Sequence, residues 1–370
     1  MRFRHHIVRK KQLALSTVII YLIGIHWVFA RQDVVPGSRY TSGRAAAMGD
    51  AFIPLADDGA AGLFYNPAGL GKVKYFQLEP MNFQLQANSD FLSSVDRNFY
   101  KATSLGKYYP KIITKSPAFP GMSATIFPNF AARGFAFGVL MMDQISATSP
   151  DGVNIRNRSK YLFIPTFGAG LRLAGGVIRL GYSLQWVNQA SGDITLPASE
   201  SLGYNEGLAQ GSAMSHTLGL ALTLPVSYLP SLNFVARNLL NAKFGSFSIL
   251  SLAKNVSGVP DTELTSYDAS VSIQAKVGGG GSVNMVVEYR DLTNRSGISL
   301  FGRLCAGMEF SFRDQFFLRT GWGSGYPSAG LGLRRKKAEF SLSWFSQEAG
   351  TKYHELRDTR YILHYQIRAF

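Results

Sequence analysis

The sequence predicts an all-β chain: about 14 antiparallel strands closed into a transmembrane barrel, preceded by a short helical hatch folded into the lumen. Three observations lead there: strand-length runs that alternate with period two, connections that alternate long and short, and a composition rich in aromatics and glycine but poor in charge. Of 370 residues, 13% are aromatic, 38 are Gly and only 16% are charged, against about 25% charged in an ordinary soluble domain. Beyond the N-terminus the longest apolar runs, such as Gly134 to Met142, fall well short of the roughly 20 residues a spanning helix needs. A membrane location for this chain therefore requires strands.

The first element, residues 1–30, has the three parts of an export signal. Met1 to Gln12 is basic, and Leu13 to Ala30 is apolar. The apolar stretch closes on Val28-Phe29-Ala30, with small or medium side chains at −3 and −1 of a cut before Arg31. An uncleaved anchor is the alternative, but the polar, turn-rich Arg31 to Gly43 favours cleavage.

Residues 31–74 form the hatch. Ala45 to Phe52 is dense in Ala and Gly, which lets a helix approach neighbouring backbone closely. Asp57-Asp58-Gly59 is a turn in which either carboxylate can cap a short helix running to Leu63 or Phe64. Asn66-Pro67 demands extended or turn geometry at Asn66, and Gly69 and Gly71 release the chain into the first strand. A compact, small-residue segment ahead of a barrel belongs in the lumen.

Residues 75–370 form the barrel. Between Val177 and Val187, Ile178, Leu180, Tyr182, Leu184 and Trp186 share one face, while Arg179, Gly181, Ser183 and Gln185 share the other. The same alternation recurs in Thr217 to Leu224, Ser270 to Val277, Ser282 to Arg290 and Leu304 to Phe312. Period two means strands, because successive side chains point to opposite faces. In a soluble sandwich the outer face would be charged and wet. Here the second face is mostly Gly, Ser, Thr, Ala and Gln, and aromatics such as Tyr161, Trp186, Tyr289, Trp322, Trp344 and Tyr361 fall at predicted strand ends. That pattern suits a lipid-facing band with aromatic girdles around a close-packed polar lumen.

The connections agree. Asn88 to Pro120, Ser146 to Ser159, Gln189 to Gly211, Leu239 to Ser266 and Gln347 to Asp358 are long; Ala131 to Arg133, Ala174 to Gly176, Pro225 to Pro230, Gly278 to Gly281, Arg313-Asp314 and Lys336-Lys337 are short. An even-stranded barrel has short periplasmic turns and longer outside loops, which places both termini in the periplasm of a Gram-negative cell. The closing strand ends in Phe370, although its apolar face (Tyr361, Leu363, Tyr365, Ile367, Ala369) leaves that Phe in the opposite phase.

The hatch carries a distinctive motif. Arg44-Ala45-Ala46-Ala47-Met48-Gly49-Asp50-Ala51-Phe52, then Ala56-Asp57-Asp58, then Tyr65-Asn66-Pro67-Ala68-Gly69-Leu70, resembles the N-terminal hatch of the FadL-like barrel superfamily and is most similar to its PorV-type branch. The resemblance implies a monomeric 14-stranded barrel whose lumen the hatch occludes. It also implies hatch or gating positions at Arg44, Met48, Gly49, Asp57, Asp58, Asn66, Pro67, Ala68 and Gly69. In FadL itself, long-chain fatty acids pass a hatch-gated lumen and leave sideways through the wall; in PorV the barrel serves a secretion system by binding exported proteins.

The formal charge is +15; the five basic residues of the signal (Arg2, Arg4, Arg9, Lys10, Lys11) account for five, leaving +10. The remaining Lys and Arg are scattered singly, which suits lumen-lining or lipopolysaccharide-facing positions in an outer-membrane lipid environment and not a nucleic-acid partner. Arg179, Glu288, Arg290, Arg303, Glu309, Arg319 and Arg334 fall on the polar phase and are expected to line the lumen, where Glu309 or Arg319 would contact the hatch.

An enzyme is disfavoured, including an acyl hydrolase. Ser215 and His216 are adjacent on a strand and cannot pair, and His354 and His364 lack a serine motif. No catalytic residue, metal site or cofactor is expected; Cys305 is alone, and no Lys-Ser/Thr and helix follow Gly278 to Gly281. The leading function is gated passive uptake of a hydrophobic, fatty-acid-like small molecule, which predicts a greasy lumenal pocket and a break in the wall. The alternative is a PorV-like component of secretion or surface assembly with a secreted-protein partner. An open porin fits poorly with a plugged lumen.

Overall fold

The computed structural model describes residues 39–94, 120–149, 152–197, 199–200, 205–348, 353–354 and 357–369. The signal segment 1–30 and the terminal Phe370 lie outside the described residues.

Sixteen strand segments form one antiparallel sheet: β1(Gln77–Glu79), β2(Met81–Asn88), β3(Gly121–Ile126), β4(Asn129–Ala132), β5(Phe135–Thr148), β6(Asn154–Leu173), β7(Ile178–Pro197), β8(Ala209–Thr223), β9(Ser231–Arg237), β10(Ser266–Val277), β11(Gly281–Tyr289), β12(Leu304–Phe312), β13(Phe316–Gly323), β14(Tyr326–Arg335), β15(Ala338–Glu348) and β16(Arg357–Ile367). Two interruptions separate segments of a single strand. β1 and β2 are split at Pro80, and β3 and β4 at Phe127-Pro128, where proline cannot supply a ladder donor. Counted as continuous, they leave 14 strands, and β16 pairs with β2 to close the barrel.

The split does not open the wall. Glu79 pairs with Asn129 while Phe83 pairs with Ile126, so one strand spends four steps where its partner spends three. That is a one-residue bulge, bridged by Phe127 N–H donating to the Asn82 carbonyl. β3 and β4 keep one register against β5 throughout. The break expected of an uptake channel is absent at this place among the described residues.

Strand alternation fixes what faces lipid. Leu180, Leu218, Val271, Ile273, Met285, Val287, Leu331, Leu342 and Leu363 are exposed on the outer surface; their neighbours Arg179, Ser183, Gln185, Thr217, Ser270, Glu288, Ser341, Ser343 and His364 are buried inside. Small and polar residues tolerate the lumen because they meet hydrogen-bonding partners there, whereas apolar side chains lose nothing by facing hydrocarbon.

Two expected loops are largely strand instead. β6 and β7 each run 20 residues, twice the length of a tilted bilayer crossing, and β5 reaches Thr148. The upper part of the hairpin projects past the lipid band, held by Arg156 and Arg158 pairing with Asp193 across it. The expected segments Ser146 to Ser159 and Gln189 to Gly211 read as loops because their polar residues hide the alternation. The loop-length rule also fails at β13–β14, joined only by Ser324 and Gly325 at the long-loop end.

The connection from β9 to β10, residues 238–265, folds back on β8. Ser212 bridges Gly245, and Ala242 bridges Glu263 within the loop.

Among the described residues no helix is long and apolar enough to cross a membrane. The helices among the described residues are short, and four of the eight belong to the hatch inside the barrel.

Candidate functional site: the occupied lumen

The described part of the hatch begins at Arg39 and turns through four short helical pieces. Ser42 caps a helix of Gly43–Ala47, its side chain accepting from the Ala45 N–H. Asp58 caps a second helix, Gly59–Phe64, through Ala61 N–H at 2.7 Å. Asn66, extended as Pro67 requires, caps a 3-10 turn over Pro67–Lys72 through Ala68 N–H at 3.0 Å. A further 3-10 turn covers Ile53–Leu55. Tyr65 hydroxyl ties the pieces together, donating to Asp50 at 2.9 Å and accepting from Ser42 N–H at 3.2 Å.

Two glycine patches on the inner wall explain how backbone can lie on backbone. A Cβ on Gly181 would fall inside the contact radius of the Pro67 carbonyl and the Ala68 nitrogen, and one on Gly219 would strike the Asn66 side-chain oxygen. Across the barrel, a Cβ on Gly307 would lie 2.5 Å from the Met48 carbonyl oxygen, and Gly321 and Gly323 meet Met48 and Gly49 as closely. The Asn66-Pro67-Ala68-Gly69 turn and the Met48-Gly49 turn are thus the two docking points, each set on strands whose inward residue is glycine. Gly49 itself has φ +66 and lies against the Trp322 backbone, a place only glycine fills without strain.

Between the docking points, charges join hatch to wall. Arg44 forms a fork on Glu309, with Nε and Nη2 each donating at 2.7 Å, and its Nη1 reaches Asp57 at 3.1 Å. Glu309 also accepts from Arg319 Nε at 2.8 Å and Asn284 at 3.1 Å. Behind Arg319 stands Glu339, which Arg334 holds at 2.7 Å. Among the described residues Arg319 therefore bonds no hatch residue directly and is linked to the hatch through Glu309. A second link runs through Glu288, which accepts from Phe52 and Ile53 N–H at 3.0 and 3.1 Å and from Arg290 at 2.6 Å; Arg290 grips Asp50 at 2.6 Å. Arg179 and Arg303 join neither link. Arg179 bonds Thr223 at 2.6 Å beside the hatch exit at Gly71, and Arg303 bonds the Asp291 carbonyl at 2.7 Å.

Several further side chains hold the hatch. Arg237, buried beside Asp268, donates to the Phe64 and Tyr65 carbonyls at 2.6 and 3.0 Å and so closes the open end of the Gly59–Phe64 helix. Ser328 and Ser343 donate to the Ala47 and Gly43 carbonyls at 3.0 and 2.6 Å. Arg39 is held by Gln185 at 2.7 Å, Ser215, Asn238 and, from the folded-back loop, Glu263. Arg237 and Asp268 fall on the inward phase of β9 and β10, a signal that strand alternation carries; the pairing of Arg39 with Glu263, 224 residues apart, has no local signal.

At the exit, Lys72 donates to the Pro54 carbonyl at 2.6 Å. Burial, with Arg179 next to it, pushes its ammonium down to about 8.

An apolar nucleus fills the rest: Tyr40, Phe64 and Phe127 contact one another with ring centroids 5.2 to 5.6 Å apart, joined by Leu63, Leu70, Leu140 and Ile164. The interruption at Pro128 is what turns Phe127 inward. Beside the hatch a cavity of about 110 Å³ remains. It was expected to be greasy, but its lining is mixed. Tyr40, Met142, Phe345 and Ile362 face Gln84, Gln86, Gln144, Lys160 and Arg360. The Gln84 amide, only 4% exposed, has no hydrogen-bond partner for its nitrogen or oxygen among the described residues. Ser215 and His216 do point apart, Ser215 to Asn238 inside and His216 to Tyr182 at 2.7 Å.

Set against solved structures, the chain is similar to a TodX monoaromatic hydrocarbon channel (deltaS2 mutant), with TM-score 0.50 and 11% identity over 89% of this chain and 97% of that one. That likeness is one of fold, a closed antiparallel barrel. The CymD monoaromatic hydrocarbon channel gives 0.48 at 11% identity, covering 92% and 98%; a Pseudomonas aeruginosa FadL homologue gives 0.45 at 12%, covering 90% and 98%. No family model and no curated protein matches the sequence. At such low identity the comparison reaches the fold and not the N-terminal motif, and nothing singles out the PorV-type branch.

Proposed function

We propose that this chain is an outer-membrane channel that passes an amphipathic, fatty-acid-like small molecule when the hatch moves aside, with its short turns and both termini in the periplasm. The observation that carries the reading is the way the hatch is held. Its Arg44, Asp50, Phe52 and Ile53 are joined to the wall by hydrogen bonds and ion pairs that water or a substrate can replace. The adjoining cavity supports an amphipathic substrate over a pure hydrocarbon, because the Gln84 and Gln86 amides and Lys160 face Met142 and Phe345 across it. A polar head would satisfy the Gln84 amide and a chain would pack on the apolar side. The secretion alternative is not better supported: the 238–265 loop is folded and keeps Leu240, Phe247 and Val256 exposed, but its Glu263 turns inward to Arg39.

The test is a tether. A Cβ on Gly330 lies 2.5 Å from that of Ala47, so Ala47→Cys with Gly330→Cys, in a Cys305→Ala background, brings two thiols within disulfide reach after a small shift. Oxidation should abolish uptake of a fluorescent long-chain fatty acid by cells expressing the barrel, and reductant should restore it. Undiminished uptake by the oxidised protein would show that the hatch need not move.

A further inference from the structure

The rim that carries the short turns is cationic nearly all the way round. Arg133 sits on the β4–β5 turn, Arg172 beside the β6–β7 turn, Lys276 before β10–β11, Arg313 on β12–β13, and Arg335 and Lys336 at β14–β15. All are exposed, and among the described residues none of the six is in an ion pair with a carboxylate. Asp314 is the exposed carboxylate on these turns among the described residues, and it accepts from Ser311. At the opposite end the signs are mixed: Arg156 and Arg158 answer Asp193, and exposed Lys243 and Lys254 share the 238–265 loop with Asp261 and Glu263.

Height matters as much as sign. The side chains leading into these turns, Leu173, Val277, Phe312, Phe316 and Leu333, are exposed on the lipid-facing surface. The cations therefore stand at the edge of the apolar band, where long side chains lay their stems on hydrocarbon and hold their heads at headgroup level. The sixth short turn, between β8 and β9, is apolar, with Val226, Tyr228 and Leu229 exposed.

We propose that this rim is a collar that binds the phosphate headgroups of anionic phospholipids in the adjoining leaflet. Five of the six turns contribute, spread around the whole circumference. A soluble acidic protein would meet one sector of such a ring, whereas a leaflet meets all of it at once. A zwitterionic headgroup offers the phosphate without net charge and is bound less well.

The full-length mature barrel is reconstituted in phosphatidylcholine membranes containing spin-labelled phosphatidylglycerol or spin-labelled phosphatidylcholine, and the motionally restricted fraction of each label is compared. The wild type should prefer phosphatidylglycerol by about fivefold, the preference falling in high salt. Replacing Lys276, Arg313, Arg335 and Lys336 by Gln should bring the ratio close to one. Should that variant fold poorly on a heat-modifiability gel, the single-turn pair Arg335→Glu and Lys336→Glu should still lower it. Equal association of both labels with wild type, or a preference unchanged in the folded variants, overturns the proposal. So does a barrel without lipid preference that binds an immobilised polyglutamate peptide in a collar-dependent manner, which would assign the rim to an acidic protein.

Discussion

Removing Glu309 should undock the hatch while leaving the wall standing. Its carboxylate is 1% exposed and accepts four hydrogen bonds: two from Arg44, one from Arg319 and one from Asn284. Glu309→Ala strands two guanidinium groups. Arg319, fully buried, keeps Glu339 at 3.3 Å; Arg44 keeps only Asp57, which is half exposed. Breaking a buried pair by deleting one partner costs about 3–5 kcal/mol, because the remaining charge has lost its solvent and its partner together. Arg319 cannot escape, since β13 is paired on both sides. Arg44 can, by leaving with the hatch. Most of the cost therefore falls on docking, and about 3 kcal/mol raises the undocked fraction about 100-fold. Ala46, 1% exposed against Phe345 and Ile362, supplies the reporter: Ala46→Cys in a Cys305→Ala background, labelled by a maleimide in the folded barrel. The labelling rate follows the open fraction while closing is fast. Glu309→Ala should label about 100-fold faster, with the barrel still resistant to detergent before heating. Unchanged labelling, or a barrel that unfolds as a whole, would refute the assignment of the pair to hatch docking.

Other perturbations separate the remaining contacts. Gly181→Val should expel the Asn66–Gly69 turn, at about 1–3 kcal/mol of overpacking, and speed proteolysis near Tyr65 without lowering barrel content by circular dichroism. Glu263→Gln, which removes the charge from the partner of Arg39, should increase protease access to the 238–265 loop; equal digestion rates would show the pair to be idle. Lys72 carries a pH signature. Its folded pKa, lowered to about 8 from the ordinary 10.5, leaves it neutral between those values while the unfolded chain still binds the proton. Stability from this group therefore rises as pH climbs through that window, and is penalised below it. The stability deficit of wild type relative to Lys72→Met in detergent should shrink as pH rises from about 8 to 10.5; parallel profiles would exclude the effect.

The wall was legible one strand at a time. Ile178 to Trp186 and Leu304 to Phe312 announce lipid-facing and lumenal faces because a strand's side-chain period is two whatever its neighbours are. Gln189 to Pro197 did not announce itself, since a strand standing clear of lipid has no apolar face to alternate. In the hatch, Asp58 and Asn66 were readable as caps, because a cap bonds a nitrogen two or three residues away.

What the sequence by itself determined is the hatch-and-barrel layout, the inward phase of Glu288, Glu309 and Arg319, and the small residues that let backbone meet backbone. The strand phases follow from local geometry, whereas the hatch was read from its small residues and its family-like motif. Only the tertiary structure decided which charge meets which: that Glu309 takes Arg44 across 265 residues while Arg319 stands behind it, that Arg237 closes the Gly59–Phe64 helix, and that the Pro80 and Pro128 interruptions bulge the wall without opening it. Each depends on the register and curvature of a closed sheet, and closure is a property of all 14 strands together.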